Sequence, residues 1–264
     1  MTELERLVQQ ILARPEEDAR RKAYADALPA GNPRADFIRN QLQRAAATRR
    51  RVRDAATLAL GERVQQAITQ HGDRWAQPLL PLTKRVRFSR GFVEHVDIDG
   101  PTLLRRFDDL LTMAPVLSVS ILGAAPILPA LAAMPQLGRL YALGLGDQKI
   151  GDAALLTLLA SPHIRNLRWL KLDNNNLSER AVDALFASPH LPNLQYLSLS
   201  RNPAPDPIMQ PAGQDWGSDA ALDYDWTDFG RSLQAKYGAK PFASWLVDRH
   251  RFMAPLPEEL IGGK

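Results

Sequence analysis

A set of leucines in the middle of the chain recurs every 27 residues. Each copy has leucines at its first, fourth and sixth positions and an amide side chain at its ninth; the copies begin at Leu140, Leu167 and Leu194, and their amides are Gln148, Asn175 and Asn202. The intervening segments keep the same interval, because Ser161–Pro162–His163 returns as Ser188–Pro189–His190. A proline, which breaks helices, thus recurs at one phase. The period therefore indicates a repeated structural unit rather than a chance run of leucines.

The spacing L-x-x-L-x-L-x-x-N/Q-x-L/I is typical of leucine-rich repeats. In such an array each unit forms a strand, a turn and a helix, and neighbouring units join their inward-facing leucines into one core. A first, degenerate copy is formed by Ala114, Leu117, Val119 and Leu122. The sequence therefore predicts an α/β fold: a short right-handed leucine-rich-repeat solenoid, with a curved parallel sheet and outer helices. We place an N-terminal helical cap at 1–78, the solenoid at 79–203, and an acidic and aromatic C-terminal capping segment at 204–264.

The strand residues between the leucines are expected to face outward on the concave side of the array. They supply the candidate partner-binding residues, which are Trp169, Lys171, Asp173, Tyr196, Ser198 and Ser200. Large amphipathic aromatics are frequent anchors of protein interfaces, and the small residues beside them leave room for a partner. Two alternatives stay open: the C-terminal segment fills this space, or the two aromatics stack on each other. The amides of the repeat are expected to bond backbone groups of the turns, because an amide both donates and accepts.

Local patterns predict the flanking elements. Apolar residues at helical spacing predict a helix over 2–14, capped by Thr2 and ended by Pro15, and a second helix over 16–28. A long helix is expected over 34–69, interrupted near Gly61. Alternating residues on either side of Arg90–Gly91 predict two strands joined by a turn, and a last helix is expected around 226–237.

Charge is distributed unevenly along the chain. The net charge is +4, yet residues 203–230 contain six of the 29 acidic residues and no lysine or arginine, so that the remainder holds 33 basic and 23 acidic residues. We expect this acidic segment to fold back on the basic body, with nucleic-acid binding as the other interpretation of such a charge pattern. Arg49, Arg50, Arg51 and Arg53 form the strongest cationic cluster.

Chemistry-bearing motifs are scarce in this sequence. The chain has no cysteine, which excludes disulfides and thiol catalysis and fits a reducing cytoplasm. It shows no signal peptide and no membrane span. The D-x-D-x-x-D pattern of Asp223, Asp225 and Asp228 lacks the glycine and terminal glutamate of a calcium loop. We therefore predict a non-enzymatic protein without metal or cofactor, in which no membrane takes part; the sequence does not set the oligomeric state.

The N-terminal residues resemble a known family. Residues 11–20, Tyr24–Ala25–Asp26–Ala27–Leu28 and Gly31–Asn32–Pro33–Arg34–Ala35–Asp36–Phe37–Ile38–Arg39 are similar to the bacterial "repeat-companion" domain, which precedes leucine-rich repeats, and Arg90–Gly91–Phe92 resembles a strand that often follows it. Gly230, Leu233, Lys236–Tyr237–Gly238 and Trp245–Leu246 resemble the closing segment of the same proteins. The resemblance implies a fold but no defined activity. Its polar residues, Tyr24, Asp26, Arg34, Asp36 and Arg39, are either a recognition patch or ion pairs inside a small helical unit.

Taken as a sequence, the chain is best interpreted as a non-catalytic scaffold that binds a protein or peptide at the concave strands or their rims. The alternative is a basic protein that associates with nucleic acid through the cluster from Arg49 to Arg53.

Overall fold

The computed structural model of the protein describes residues 1–50, 52, 54–209, 225–240 and 242. These residues divide into two compact units. The first comprises Met1–Ile98 and Arg105–Val119, and the second comprises Asp99–Leu104 and the described residues from Ser120 onward. Among the helices in these ranges, none combines the length and the apolar character needed to cross a membrane.

Four helices open the first unit: α1 (Glu3–Ala13), α2 (Asp18–Ala27), α3 (Pro33–Arg49) and α4 (Ala55–Ala76). The capping box predicted for α1 is confirmed. The Thr2 hydroxyl accepts a hydrogen bond from the Glu5 amide at 3.2 Å, and the Glu5 carboxylate accepts one from the Thr2 amide at 2.7 Å. Asn32 caps α3 by accepting a hydrogen bond from the Arg34 amide at 2.9 Å.

The predicted interruption near Gly61 is wrong. Instead, α3 ends at Arg49 and α4 begins at Ala55, and α4 continues through Gly61. Asp54 decides the position of the break, because its carboxylate accepts a hydrogen bond from the Thr57 amide at 2.8 Å and starts a new helix there. A single glycine inside a helix costs only about 1 kcal/mol, which the 22-residue α4 tolerates.

A hairpin of β1 (Arg85–Ser89) and β2 (Phe92–Asp99) confirms the predicted strand, turn and strand. Its two turn residues, Arg90 and Gly91, both have positive φ, at 49° and 90°. This is the geometry that lets a two-residue turn follow the twist of the strands. A Cβ at position 91 would collide with Ile38 of α3, so that only glycine fits here.

Helices and strands then alternate along the chain. They are α5 (Gly100–Met113, kinked at Arg106), β3 (Ser118–Leu122), α6 (Leu128–Ala132), β4 (Ala142–Gly144), α7 (Gly151–Leu159), β5 (Trp169–Lys171), α8 (Glu179–Ala187) and β6 (Tyr196–Ser198). In the described part of the chain the strands form a six-stranded, mostly parallel sheet in the order β1-β2-β3-β4-β5-β6. Ala142, Trp169 and Tyr196 are in register across the parallel strands β4, β5 and β6. The predicted mixed α/β class with parallel strands is therefore confirmed.

The 27-residue period sets both the core and the register of the second unit. The repeat leucines of the strands, such as Leu143, Leu170 and Leu197, are at most 1% exposed. Each of the three copies contributes one strand of three residues, and the first two also contribute a helix of nine (α7 and α8), so that equivalent side chains lie one strand apart.

The described C-terminal residues belong to the second unit and pack against α8. A short antiparallel pair, β7 (Ile208–Met209) with β8 (Asp225–Trp226), leads into α9 (Asp228–Tyr237), which ends at Gly238 as predicted. The Lys236 ammonium lies 3.0 Å from the Asp183 carboxylate of α8, and Phe242 packs edge-on against Phe186 at 5.0 Å. The two described parts of the acidic segment pair with each other through β7 and β8. Trp216, Tyr224 and Trp245 lie outside the described residues.

Candidate functional site

The amide column of the repeats is a hydrogen-bonding ladder. The Asn175 side chain is fully buried, accepts from the amide of Gln148 at 3.0 Å and donates to the carbonyl of Leu145 at 2.7 Å. The Asn202 side chain repeats this one strand later, accepting from the backbone N–H of Asn175 at 2.8 Å and donating to the Leu172 carbonyl at 3.0 Å. The predicted role of the column is confirmed, and its polar groups are committed to holding the turns.

The aromatic column differs from the open edge expected from the sequence. Trp169 and Tyr196 stack with their ring centroids 5.4 Å apart and an interplanar angle of 15°. Together with Ala142 they form a cluster in which Trp169 is only 9% and Tyr196 only 6% exposed. The parallel register places Trp169 and Tyr196 beside each other on adjacent strands. Their geometry is therefore the one that we expected if the two aromatics stack on each other. Side chains this buried do not form an exposed contact surface in this structure.

The polar strand residues are also paired with each other. The buried carboxylate of Asp173 accepts hydrogen bonds from the Ser198 hydroxyl and, at 2.9 Å, from the Ser200 amide. The Lys171 ammonium lies 3.8 Å from the same carboxylate, and 43% of its side chain is exposed. Of the six residues predicted to bind a partner, Trp169, Asp173, Tyr196 and Ser198 are therefore buried, while Lys171 and Ser200 are partly exposed.

The room expected beside the small residues is occupied by neighbouring side chains. A Cβ on Gly144 would lie 2.5 Å from the Ser120 hydroxyl, and one on Gly146 would lie 3.1 Å from the Lys171 side chain. Glycine is needed at position 144, where Ser120 of the neighbouring strand approaches diagonally, whereas at position 146 a Cβ would require only a small shift of the flexible Lys171 side chain. The small columns serve close packing of the strands.

An exposed set of side chains follows each strand instead. Asp147, Lys149, Asn174, Asn176 and Arg201, which we call the turn rim, are exposed and hold φ between 51° and 60°. The side-chain amide of Asn174 donates to the Asp147 carboxylate at 2.9 Å, and the Arg201 guanidinium lies 3.6 Å from that carboxylate. Residues with side chains hold positive φ only where the surrounding structure imposes it, so that the buried ladder fixes the direction of the turn rim.

The cationic cluster is only partly within the described residues, since Arg51 and Arg53 lie outside them. Arg49 is not a free cation, because its guanidinium donates to the Asp18 carboxylate at 3.0 Å. Arg50 ends α3 as its C-cap residue. The part of the cluster that the structure describes thus includes an arginine already paired within the first unit.

The polar residues of the N-terminal motif separate into two groups. Arg39 lies 3.0 Å from Asp26 and 3.3 Å from Asp36, so that these three form the ion pairs of the structural alternative. Tyr24 and Arg34 do not take part in that network and line a cavity.

A buried ionic network in the first unit was not predicted from the sequence. The Glu94 carboxylate, 1% exposed, lies 2.7 Å from the Arg21 guanidinium and 2.9 Å from that of Arg90, and both arginine side chains are fully buried. Burial lowers the pKa of Arg21 to about 10. Burial alone would also lower the pKa of Arg90, but the carboxylates of Glu94 and Asp18 raise it. The Arg90–Gly91–Phe92 motif identifies Arg90 in the sequence, but it does not identify Glu94 or Arg21 as its partners.

One arrangement in the first unit has the residue types of a catalytic triad. His95 lies between Ser118, 2.6 Å from Nδ1, and Asp97, 2.8 Å from Nε2. The hydrogen bond from His95 lowers the pKa of Asp97. Ser118 is only 2% exposed, and its contact with His95 forms a polar link between β2 and β3. The repeat serines hold backbone groups: Ser161 accepts from the His163 amide and Ser188 from the His190 amide, each at 3.2 Å.

Across the described ranges, no group of three or more metal-ligating side chains comes together. Of the aspartates in the D-x-D-x-x-D pattern, Asp223 lies outside those ranges, and Asp228 pairs with Arg231 at 2.7 Å. Comparison of the chain with protein-family models, with curated proteins and with solved structures returned no match.

Proposed function

We propose that the protein is a non-catalytic interaction module: a short right-handed leucine-rich-repeat solenoid that binds a protein or peptide through its turn rim. In this proposal the N-terminal unit is a repeat-companion domain of the bacterial kind, and the protein acts in the cytoplasm. The solenoid buries its leucines and amides and projects a defined row of side chains from its turns.

The observation that carries the proposal is the contrast between the strands and the turns. The aromatic side chains of β5 and β6 are buried and stacked, and the buried Asp173 after β5 accepts a hydrogen bond from Ser198 of β6, whereas the turn rim is exposed at equivalent positions of successive repeats. A rigid row of charged and amide groups is a surface that gives a protein partner register and specificity. A small substrate, by comparison, is usually held in a concave and mostly apolar site.

The test compares two single changes of equal charge. Lys149→Asp reverses a charge on the turn rim, and aspartate tolerates the positive φ found there. Arg180→Asp makes the same change of charge on the exposed surface of α8 and serves as the control. Partners retained by the intact chain from a native-host lysate are identified by mass spectrometry, and the affinity of the leading partner is then measured for both variants.

We expect Lys149→Asp to weaken binding by about tenfold, or roughly 1.4 kcal/mol, while Arg180→Asp leaves the affinity within about twofold. Thermal midpoints of both variants establish that the fold is intact. Equal affinity of the two variants for every purified partner would refute the turn rim as the binding surface. Replacement of Trp169 is not a suitable test, because its burial couples binding to stability.

A further inference from the structure

A cavity of about 400 Å³ opens on the first unit, where α2, α3 and α4 meet. Its wall includes Tyr24 and Leu28 from the α2 end, Arg34 from α3, and His71, Arg74 and Trp75 from α4. The volume lies within the range of small-ligand sites. None of these residues takes part in the turn rim.

Arg34 is the unusual member of this wall, because aromatic rings surround its guanidinium. The carbon of the guanidinium lies 4.5 Å from the ring centroid of Trp75, 5.2 Å from Phe92, 5.5 Å from Phe88 and 5.6 Å from Phe37. Rings attract a cation through their faces, but they supply no oxygen that accepts a hydrogen bond. The N–H groups of the guanidinium are the donors that Arg34 can offer to a ligand.

No carboxylate compensates this cation among the described residues. Nη1 of Arg34 is buried without a hydrogen-bond partner, and burial lowers the pKa of Arg34 to about 10. The contrast within the same unit is informative: Arg39 pairs with two aspartates, and Arg21 and Arg90 share Glu94. Buried donors in native proteins are nearly always satisfied, and an exception calls for an explanation.

We propose that this cavity binds a carboxylate, which Arg34 holds through its in-plane N–H groups while the apolar part of the ligand packs beside Trp75 and Leu28. The planar fork of a guanidinium matches the two oxygens of a carboxylate. Arg34 is the desolvated cation of the cavity, and its single charge matches the single negative charge of a carboxylate. The charge of Arg74 adds little, because Arg74 is exposed and solvent screens it. The carboxylate comes from a chain terminus, an acidic side chain or a small organic acid. The proposal is independent of the turn rim, so that either can fail without the other.

The experiment uses the full chain and a matched pair of probes. N-acetylphenylalanine carries a carboxylate, and N-acetylphenylalaninamide has the same shape without the charge. Both are titrated at constant ionic strength while the indole N–H signals are followed by ¹H–¹⁵N NMR, with the Trp75 signal assigned by its disappearance in Trp75→Phe. Arg34→Met removes the charge and keeps an apolar side chain for the rings. Arg168→Met is the control, since Arg168 also stacks on a ring, that of Tyr141 at 4.4 Å, in the other unit.

We expect the acid to shift the Trp75 signal in a saturable manner and the amide to bind at least about tenfold more weakly, as for loss of a charged hydrogen bond. Arg34→Met should weaken binding of the acid by a similar factor, and Arg168→Met should leave the affinity for the acid unchanged. If Arg34→Met does not fold, Arg34→Lys, which keeps the charge without the fork, replaces it and should bind the acid less tightly than the wild type.

Equal binding of acid and amide overturns the proposal, and so does an unchanged affinity in Arg34→Met. Tighter binding of inorganic phosphate than of any carboxylate also overturns it and assigns the cavity to phosphate oxyanions. Two further carboxylates separate the sources. The α-amide of N-acetylaspartic acid presents a side-chain carboxylate, and benzoate presents the carboxylate of a small organic acid. The tightest binder of the three identifies the kind of ligand.

Discussion

Removal of the Glu94 charge is the sharpest test of what holds the first unit together. Glu94→Gln keeps the size of the side chain and one carbonyl oxygen, but it leaves Arg21 and Arg90 buried without their shared anion. Asp18, 3.0 Å from Arg90, is then the remaining carboxylate of the network, and it is partly exposed.

The expected magnitude follows from the geometry. At an effective dielectric constant of about 20, a pair of unit charges 4 Å apart is worth roughly 4 kcal/mol, and Glu94 makes two closer contacts. Backbone carbonyls offset part of the loss, because Pro15 accepts from Arg21 at 2.6 Å and from Arg90 at 3.0 Å. Breaking a buried ion pair costs about 3–5 kcal/mol, and we expect Glu94→Gln to lie in that range.

Glu17→Gln is the matched control, because Glu17 also contacts two arginines, Arg20 at 2.6 Å and Arg14 at 3.5 Å, but is 36% exposed. Exposed pairs contribute at most about 1 kcal/mol. The assay is hydrogen exchange of peptides from α2 and the β1–β2 hairpin, where 1.4 kcal/mol corresponds to about tenfold in the opening equilibrium. Glu94→Gln should speed exchange by roughly a hundredfold or more, and Glu17→Gln by less than about tenfold. Equal exchange in the two variants would show that the Pro15 carbonyl suffices and that our reasoning is wrong.

Four shorter predictions follow from other parts of the structure. Asn175→Ala leaves the backbone groups that its buried side chain bonds without partners and should lower the free energy of unfolding by about 3 kcal/mol. Asn166→Ala, which removes an exposed hydrogen bond to Gly138, should lower it by less than about 1 kcal/mol. Urea titration measures both changes. Trp169→Ala should cost about 3–5 kcal/mol through the cavity it leaves, and an unchanged urea midpoint would mean that the stacked pair is not part of the core. Folding lowers the pKa of Asp97, so that the ionised carboxylate contributes its full stabilisation above the unfolded pKa of about 3.9, and this stabilisation is lost as the pH falls through the folded pKa. The stability advantage of the wild type over Asp97→Asn should therefore shrink from pH 5 to pH 3. A constant difference would contradict the lowered pKa. Nucleic acid should bind only weakly and lose affinity with salt; an anisotropy titration at about 150 mM salt that gave binding tighter than micromolar, abolished by replacing Arg49, Arg50, Arg51 and Arg53 with Ser, would instead favour the nucleic-acid alternative.

The sequence predicts best what is decided locally or by the repeat. The leucines, the amide ladder and the Arg90–Gly91 turn could be assigned because a fixed interval or a two-residue signature determines them. The ion pairs of Arg39 with Asp26 and Asp36 were foreseen as one alternative, because the three residues fall within a short stretch of helix, turn and helix.

What could not be predicted depends on contacts between distant segments. Glu94 lies 73 positions from Arg21, and no spacing rule links a residue of the hairpin to one of α2. Trp75 and Arg74 belong to a helix with no motif, and only the packing of α3 against α4 brings them to Arg34. The small strand residues were misjudged for the same reason. Space beside a glycine depends on the diagonal neighbour, here Ser120 for Gly144, which a single column of aligned residues does not reveal.

The buried arginines show how one small helical unit uses the same residue type in two ways. Arg21 and Arg90 each reach Glu94 and backbone carbonyls, so that their charges are compensated and they fix the hairpin to the turn after α1. Arg34 has the same chemistry but lies among ring faces, which are worth about 0.5–2 kcal/mol each, and its Nη1 is buried without a hydrogen-bond partner. A fold that needed Arg34 for stability alone would gain more from an apolar side chain among those rings, because an uncompensated charge is costly to bury. The arrangement is therefore better suited to an anion that arrives from outside the unit than to the packing of the unit itself.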